Sequence, residues 1–185
     1  NPTRTEIVET FDKYVEALGT NDNLIIFYAG HGYWDTNLQK GFWLPSDASQ
    51  KSRSNWFSNS ELCDYIGGIK ARHTIVIADA CFSGSIFKTR DAFSDAPVSI
   101  KELYNLPSRK AMTSGNLTSV PDKSVFMEYL LKRLVANQEK FLSIGKLFYN
   151  LREAVTNNSP NSQSPQFGVV QQTGDEGGEF ILIRR

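Results

Sequence analysis

The sequence has few of the residues that usually mark a disulfide framework, a metal centre or a charged binding surface. Its 185 residues include only two cysteines, Cys63 and Cys81, and two histidines. One disulfide at most is possible, which excludes the dense bridging of small secreted domains. The 20 basic and 20 acidic residues give no formal net charge. This balance argues against a nucleic-acid partner and against an anionic membrane surface.

Long hydrophobic runs are also missing. No apolar stretch reaches the roughly 18 to 20 residues of a membrane span, and the first residues do not form a signal peptide. The sequence therefore predicts a cytoplasmic protein without a membrane partner, in a reducing compartment. A hydrophobic content of 40% is enough for one compact domain with its own core over residues 1–185.

Helical and strand patterns alternate along the chain. Capping boxes at Thr3/Glu6 and Ser58/Glu61 predict the starts of two amphipathic helices, and glycines end both. Further predicted helices cover about 124–136 and 143–156, and predicted strands cover about 23–29, 73–80, 110–115, 167–171 and 179–184. Residues 82–108 show no periodicity, so they are interpreted as a long exposed loop.

The main predicted strands are apolar throughout rather than alternating. Such strands are typical of sheets that are buried on both faces, and helices between them imply parallel crossovers. The predicted fold class is therefore α/β, with a mostly parallel sheet between two layers of helices.

The strand in "LIIFYAGHGYW" stops abruptly at Gly30-His31-Gly32, and the strand in "TIVIADACFSGS" stops just before Cys81. Ligands of open parallel sheets lie beyond the carboxyl ends of the strands. If the two strands are neighbours, an imidazole and a thiol share one crevice, which is the arrangement that nucleophilic cysteine catalysis requires. The backbone N–H groups of Gly32 and Cys81 would then stabilise the oxyanion.

These motifs resemble those of caspase-like cysteine peptidases, in particular the metacaspase and bacterial caspase-homologue (orthocaspase) branch. "FYAGHG" is similar to Y-S-G-H-G and "DACFSG" to D-x-C-x-S-G, and the spacing of 81 − 31 = 50 residues is that known for caspases. "FWLPSDAS", "SRKAMTSG" and "SVFMEYLLKRL" resemble further family segments. A cysteine endopeptidase with a Cys81–His31 dyad is therefore the expected function, with a peptide or protein as substrate.

The resemblance also implies a domain plan. A large-subunit-like half would cover about 1–90, a loop 91–108 and a small-subunit-like half 109–185. The family's first strand-helix-strand unit has no match here, so we expect an amino-terminal segment or further domains elsewhere in the full protein. Asp91 and Asp95 lie where some metacaspases bind calcium, but a solvated loop is the simpler interpretation, and we expect no metal and no cofactor.

The resemblance further suggests a specificity pocket that contains Asp79 and Ser114. Period-two geometry directs Asp79 to the same side as Cys81. A carboxylate there suits an Arg or Lys side chain before the scissile bond. Cleavage of the chain by itself would follow Lys88, Arg90 or Arg109 in or beside the predicted loop.

Other interpretations stay open. A serine hydrolase would need a G-x-S-x-G elbow, which "CFSGS" does not supply. A catalytically inactive scaffold or a signalling module remains the alternative, and the oligomeric state is open. Cys63 is expected to pack within a helix, and His73 is expected at an exposed or capping position.

Overall fold

The computed structural model describes residues 1–80, 86–87, 100–115, 124–159 and 163–185. These residues form five helices and nine strands, in the order α1 (Arg4–Ala17), β1 (Asn23–Ala29), β2 (Gly32–Asp35), β3 (Lys40–Trp43), β4 (Phe57–Ser58), α2 (Asn59–Gly68), β5 (His73–Asp79), α3 (Ile100–Asn105), β6 (Ser108–Thr113), α4 (Val125–Ala136), β7 (Phe141–Ser143), α5 (Ile144–Asn158), β8 (Gln166–Val169) and β9 (Ile181–Ile183).

The central sheet has the strand order β1-β5-β6-β8. β1 pairs in parallel with β5, and β5 pairs in parallel with β6, whereas β8 is antiparallel to β6. A small antiparallel sheet, β2-β3-β4, follows β1 in the chain, and β7 pairs with β9. The prediction of a mostly parallel sheet is confirmed.

Both predicted capping boxes are present, and they fix where α1 and α2 begin. The side chains of Thr3 and Ser58 each accept the backbone N–H three residues on, and Glu6 and Glu61 reach back to the cap residues. Glu61 also forms an ion pair with Arg4. The start of α2 is thereby joined to the first turn of α1.

The two faces of the sheet carry two separate hydrophobic cores. α1 and α2 cover one face, where they pack against side chains of the sheet such as Ile26, Val76 and Ala111. α4 and α5 cover the other face, where Ile77 and Met112 are buried. The predicted order of helices, sheet and helices is confirmed, with cores whose fully buried large side chains include Phe57, Leu62, Ile66, Ile75, Met112, Phe126, Leu147 and Leu151.

The prediction that all the apolar strands are buried on both faces is wrong for β1. Every residue of β5 and β6 is buried. In β1, however, Ile25 and Phe27 are each 51% exposed. They lie on the face of α4 and α5, and β1 is the terminal strand of the sheet in the described part of the chain.

The interpretation of residues 82–108 as one exposed loop is also wrong in part. α3 spans Ile100–Asn105, and β6 begins at Ser108, which is fully buried. Ile86 is fully buried as well, and Phe87 forms a β-bridge to Val170. Residues 82–85 and 88–99 lie outside the described residues.

His73 is the first residue of β5 and is fully buried, which corrects the prediction of an exposed or capping position. Its Nδ1 lies 2.8 Å from Ser108 Oγ and its Nε2 lies 3.0 Å from the carbonyl oxygen of Tyr104. Because a carbonyl only accepts, Nε2 carries the proton and Nδ1 accepts from Ser108. Burial lowers the pKa of His73, and the charges of Arg72 and Arg109 lower it further.

Candidate active site

Three parallel strands of the central sheet end side by side. Ala29, the last residue of β1, is paired with Asp79, the last residue of β5. The N–H of Ser114, just beyond β6, donates to the carbonyl of Ala78 over 3.0 Å. The turn that holds His31, together with Asp79 and Ser114, therefore lies along one edge of the sheet, where parallel sheets bind ligands.

Asp79 and Ser114 are buried side by side on one face of the sheet. Side chains two residues apart in a strand lie on the same face of the sheet. Ile77 and Met112 belong to the core beneath α4 and α5, so Asp79 and Ser114 project toward the same helices. Asp79 is 5% exposed and Ser114 is fully buried. Within the described structure, Asp79 Oδ1 and Ser114 Oγ have no hydrogen-bond partner, and neither has Oε1 of the buried Gln163. Unpaired buried oxygens are costly, so this edge is suited to bind an external donor.

The backbone beside Ser114 is tightly packed. Gly115 has a φ of 78°, in the left-handed region. A Cβ atom at this position would lie 1.8 Å from the carbonyl oxygen of Ser164 and 2.9 Å from the nitrogen of Pro165. Only glycine fits there, and the segment that follows Gln163 thereby lies directly against the end of β6.

His31 is exposed in the short turn between β1 and β2. Its carbonyl oxygen accepts two hydrogen bonds, from Tyr28 Oη at 2.6 Å and from the N–H of Leu44 at 2.9 Å. The N–H of Gly30 donates to the carbonyl of Asp79 over 3.4 Å. The turn is therefore fixed both to the end of β5 and to the segment after β3.

Tyr28 is the residue that organises this turn. Its ring stacks on Trp43 with 4.2 Å between the ring centroids and 14° between the planes. Burial raises the pKa of Tyr28 to about 12, so its hydroxyl remains protonated and can donate to His31. Tyr28 Oη also accepts the N–H of Leu44 at 3.2 Å. Tyr28 therefore joins the ends of β1 and β3 around the backbone of His31.

The two glycines beside His31 have different structural roles. Gly30 does not have a positive φ, but a Cβ atom there would lie 2.9 Å from Tyr28 Oη. Gly32 opens β2 opposite Trp43. Because His31 and Leu44 form the adjacent hydrogen-bonded pair, the alternation of an antiparallel ladder directs the N–H of Gly32 away from β3. That N–H is available to a group outside the sheet.

Cys81 lies outside the described residues, as do Lys88, Arg90, Asp91 and Asp95. Ala80, which precedes Cys81 in the chain, is fully buried.

Cys63 is described, and it lies half-buried in α2. Burial, together with the charge of Asp64, raises the pKa of the Cys63 thiol to about 11. The thiol therefore stays protonated at neutral pH, as expected for a packing residue.

Groups of three or more His, Cys, Asp or Glu that could hold a metal ion are absent from the described ranges. Among the helices of the same residues, none is long and apolar enough to cross a membrane.

Sequence reasoning did not identify Tyr28 and Leu44 as supports of His31. Tyr28 belongs to the same "FYAGHG" motif as the histidine, which was the available signal. The role of Leu44 depends on a contact between β1 and the end of β3, which no local pattern indicates. Asp47, three residues after Leu44, accepts the N–H of Arg4 with its carboxylate at 2.9 Å.

Comparison with known proteins assigns the chain to a family. None of the curated proteins matches the chain significantly. The crystal structure of protein GSU0716 from Geobacter sulfurreducens is similar in fold, with a TM-score of 0.59 and 18% identity over 91% of this chain and 73% of that one. The family model for the caspase domain matches residues 1–175. The chain therefore belongs to the caspase-domain family of cysteine peptidases.

Proposed function

We propose that this protein is a cysteine endopeptidase of the metacaspase type, in which Cys81 and His31 form the catalytic dyad and the substrate is cut after Arg or Lys. The thiolate of Cys81 attacks the scissile carbonyl carbon. The C–N bond then breaks as His31 gives a proton to the leaving amine, and water, deprotonated by His31, hydrolyses the thioester. None of these chemical steps uses a cofactor.

The paired strand ends support the dyad. Asp79 is opposite Ala29 in the register of β5 and β1. Cys81 follows Asp79 by two residues in the chain, and His31 follows Ala29 by two. Because both residues come two positions after a paired strand end, we expect the thiol and the imidazole to share one crevice.

The backbone supplies a place for the developing negative charge. The N–H of Gly32, directed away from β3, is suited to donate to the oxyanion together with the N–H of Cys81. Two donors at this position would stabilise the tetrahedral intermediate more than they stabilise the planar substrate.

The observation that carries the specificity is the pair of buried oxygens at Asp79 and Ser114. A buried carboxylate oxygen without a partner among the described residues is stabilised when a guanidinium or ammonium group approaches it. Arg offers two parallel hydrogen bonds to such a carboxylate. The same carboxylate repels an acidic side chain, so substrates with Asp at this position are excluded.

The test uses fluorogenic peptides that end in Arg, Lys or Asp. We expect cleavage after Arg and Lys, none after Asp, and loss of nearly all activity in Cys81→Ala and His31→Ala with folding intact. Asp79→Ala should weaken the preference for Arg over neutral residues by roughly 2 to 4 kcal/mol, the scale for truncating one partner of a desolvated charge pair.

Cleavage after Asp, or unchanged discrimination in Asp79→Ala, would contradict the specificity. The alternative of an inactive scaffold or signalling module is tested with an electrophilic peptide probe that ends in Arg. Failure of this probe to label wild-type protein at Cys81 would support that alternative.

A further inference from the structure

A cavity of about 520 Å³ is lined in part by Leu44, the residue whose N–H donates to the carbonyl of His31. Its walls include Tyr33, Leu44 and Trp56, and its rim carries Lys51 and Arg53. This volume is within the range of pockets that bind ligands, roughly 300 to 1,000 Å³.

The cavity is directly connected to the turn that holds His31. Leu44, one of its walls, donates its N–H to the carbonyl of His31 over 2.9 Å. Tyr33, another wall, is two residues after His31 and is paired with Phe42 in β3. The lining of the cavity and the turn that holds His31 are therefore joined through Leu44 and Tyr33.

Two aromatic rings, those of Tyr33 and Trp56, form part of the lining. Tyr33 lies 5.0 Å from Trp56 between ring centroids, and Phe42 supports Trp56 from an edge-on position at 5.6 Å. The indole N–H of Trp56 is already used, because it donates to the carbonyl of Ser49 at 3.0 Å. Tyr33 is nevertheless 42% exposed. The two rings thus present an apolar surface that a ligand can cover.

The rim carries two cationic side chains, one of which is held in place by an ion pair. Arg53 forms an ion pair with the buried Asp35, and its guanidinium lies 5.7 Å from the centre of the Trp56 ring. Asp35 itself accepts the N–H groups of Asn37 and Leu38, each at 2.9 Å. One arginine is thereby fixed beside the aromatic wall, and the exposed Lys51 adds a second cation.

The strand order determines which part of a substrate meets this cavity. The strands run β1-β5-β6, so Asp79 at the end of β5 lies between Ser114, just beyond β6, and the turn of His31, just beyond β1. If the residue before the scissile bond enters at Asp79 and Ser114, the peptide crosses the strand ends toward β1. The residues after the scissile bond must then leave past His31, the group that protonates the new amine.

We infer that this cavity is the subsite for the leaving-group side of the substrate, and that it selects a large aromatic side chain directly after the scissile bond, followed by an acidic residue. This inference rests on the proposed function. Aromatic side chains gain from burial against Tyr33, Leu44 and Trp56. Lys51 and Arg53 attract the carboxylate of the next residue, and this attraction weakens as salt is added.

The test compares three internally quenched peptides that share one Arg before the scissile bond and differ in the two residues after it: Phe-Glu, Gly-Glu and Phe-Gln. Basic residues are avoided there because they would create a second cleavage site. We expect wild type to favour Phe-Glu over Gly-Glu by roughly tenfold in kcat/KM, as is usual for one apolar group in a pocket. We also expect a smaller preference over Phe-Gln that declines with salt.

The variants are Trp56→Ala and Tyr33→Ala, and each should bring the Phe-Glu to Gly-Glu ratio close to one. Phe141→Ala is the matched control, since Phe141 is 43% exposed and lies in β7, outside the cavity. Its ratio should equal that of wild type. Should Trp56→Ala fail to fold, the exposed Tyr33→Ala variant provides the same comparison.

Two further measurements separate this inference from the proposed function. A peptidyl-Arg coumarin amide has no residues after the scissile bond, so its hydrolysis by wild type tests the peptidase proposal alone. Calorimetric titration of Cys81→Ala with the same three peptides gives their relative Kd values without turnover. Equal values for Phe-Glu and Gly-Glu, or a preference that persists in both cavity variants, would overturn the subsite.

Discussion

At the scale of single residues, Gly115 imposes the strictest requirement on the candidate specificity pocket. Its left-handed backbone and its contact with Ser164 act together. Gly174 has a similar φ of 80°, but a Cβ atom there would have nothing within 4 Å. Substitution at Gly174 therefore tests backbone strain alone, whereas substitution at Gly115 tests backbone strain and steric overlap together.

We expect Gly174→Ala to lower the free energy of unfolding by about 1 to 2 kcal/mol, the cost of the left-handed region for a residue with Cβ. Gly115→Ala should lower it by about 3 kcal/mol or more, because the backbone at Ser164 must also move. Urea denaturation of both variants measures the difference. Equal losses would show that the contact with Ser164 relaxes without cost.

Tyr28 gives a second prediction at this scale. Tyr28→Phe keeps the ring on Trp43 but removes the hydrogen bonds to His31 and Leu44. We expect a loss of about 1 kcal/mol in unfolding free energy. If His31 is the catalytic acid and base, kcat should also fall roughly tenfold, with a smaller change in KM, because small misplacements of a reacting group are costly.

The control for this variant is Tyr14→Phe on the exposed side of α1. Its stability should stay within about 0.5 kcal/mol of wild type. A Tyr28→Phe enzyme with the stability loss but an unchanged kcat would mean that Tyr28 only holds the fold.

At the scale of elements, the described start of β6 limits where the chain can cut itself. Arg109 is 7% exposed, and its guanidinium donates to the carbonyls of Arg72 and Ser108. A peptidase needs an extended, accessible segment, so cleavage after Arg109 is disfavoured. Lys88 and Arg90 remain the predicted positions.

Intact-mass analysis of protein kept under active conditions checks this prediction. We expect fragments that end at Lys88 or Arg90 in wild type and an undivided chain in Cys81→Ala. Fragments that end at Arg109 would contradict the buried strand start, and a wild-type chain that stays whole would argue against self-processing.

Sequence patterns predicted the helices and the parallel strands well, because capping boxes and continuous apolar runs are local signals. α1 and β1 were placed within about one residue of their observed ends. α3 was missed because residues 82–108 mix charges, proline and aromatics without a helical period. The exposure of Ile25 and Phe27 could not be predicted either, since an apolar strand has the same pattern whether one or both faces are covered.

The same limit applies to the candidate site. His31, Gly32, Asp79 and Ser114 were selected from motifs, and they lie at the strand ends where the motifs indicated. The aromatic cavity was not anticipated, because Tyr33 and Trp56 are 23 residues apart in the sequence and come into contact only when β2, β3 and the segment before β4 pack together.

At the scale of the whole molecule, burial of His73 links stability to pH. Burial lowers the pKa of His73 in the folded protein, so the unfolded chain binds this proton more readily. The stability that the neutral ring contributes is complete above the unfolded pKa of about 6.5 and is lost as the pH falls below it. We therefore expect the free energy of unfolding to decrease between about pH 7 and pH 5.

Urea titrations across this range measure the slope, with His73→Gln as the comparison. Gln has no ionisable group, so its variant should be less stable at pH 7 but should lose less stability on acidification. A variant with the same slope as wild type would assign the pH dependence to other groups.

The register of β1 and β5 has a consequence for the time course of folding. Each register pair of these two strands joins residues 50 positions apart, as in Asn23↔His73 and Ala29↔Asp79. Such non-local pairings form slowly compared with the capped helices, which depend on neighbours in the chain. If His31 and Cys81 act together, collapse and helix formation alone cannot generate turnover. The rate at which enzymatic activity returns after dilution from denaturant would then report the rate at which these two distant strands pair.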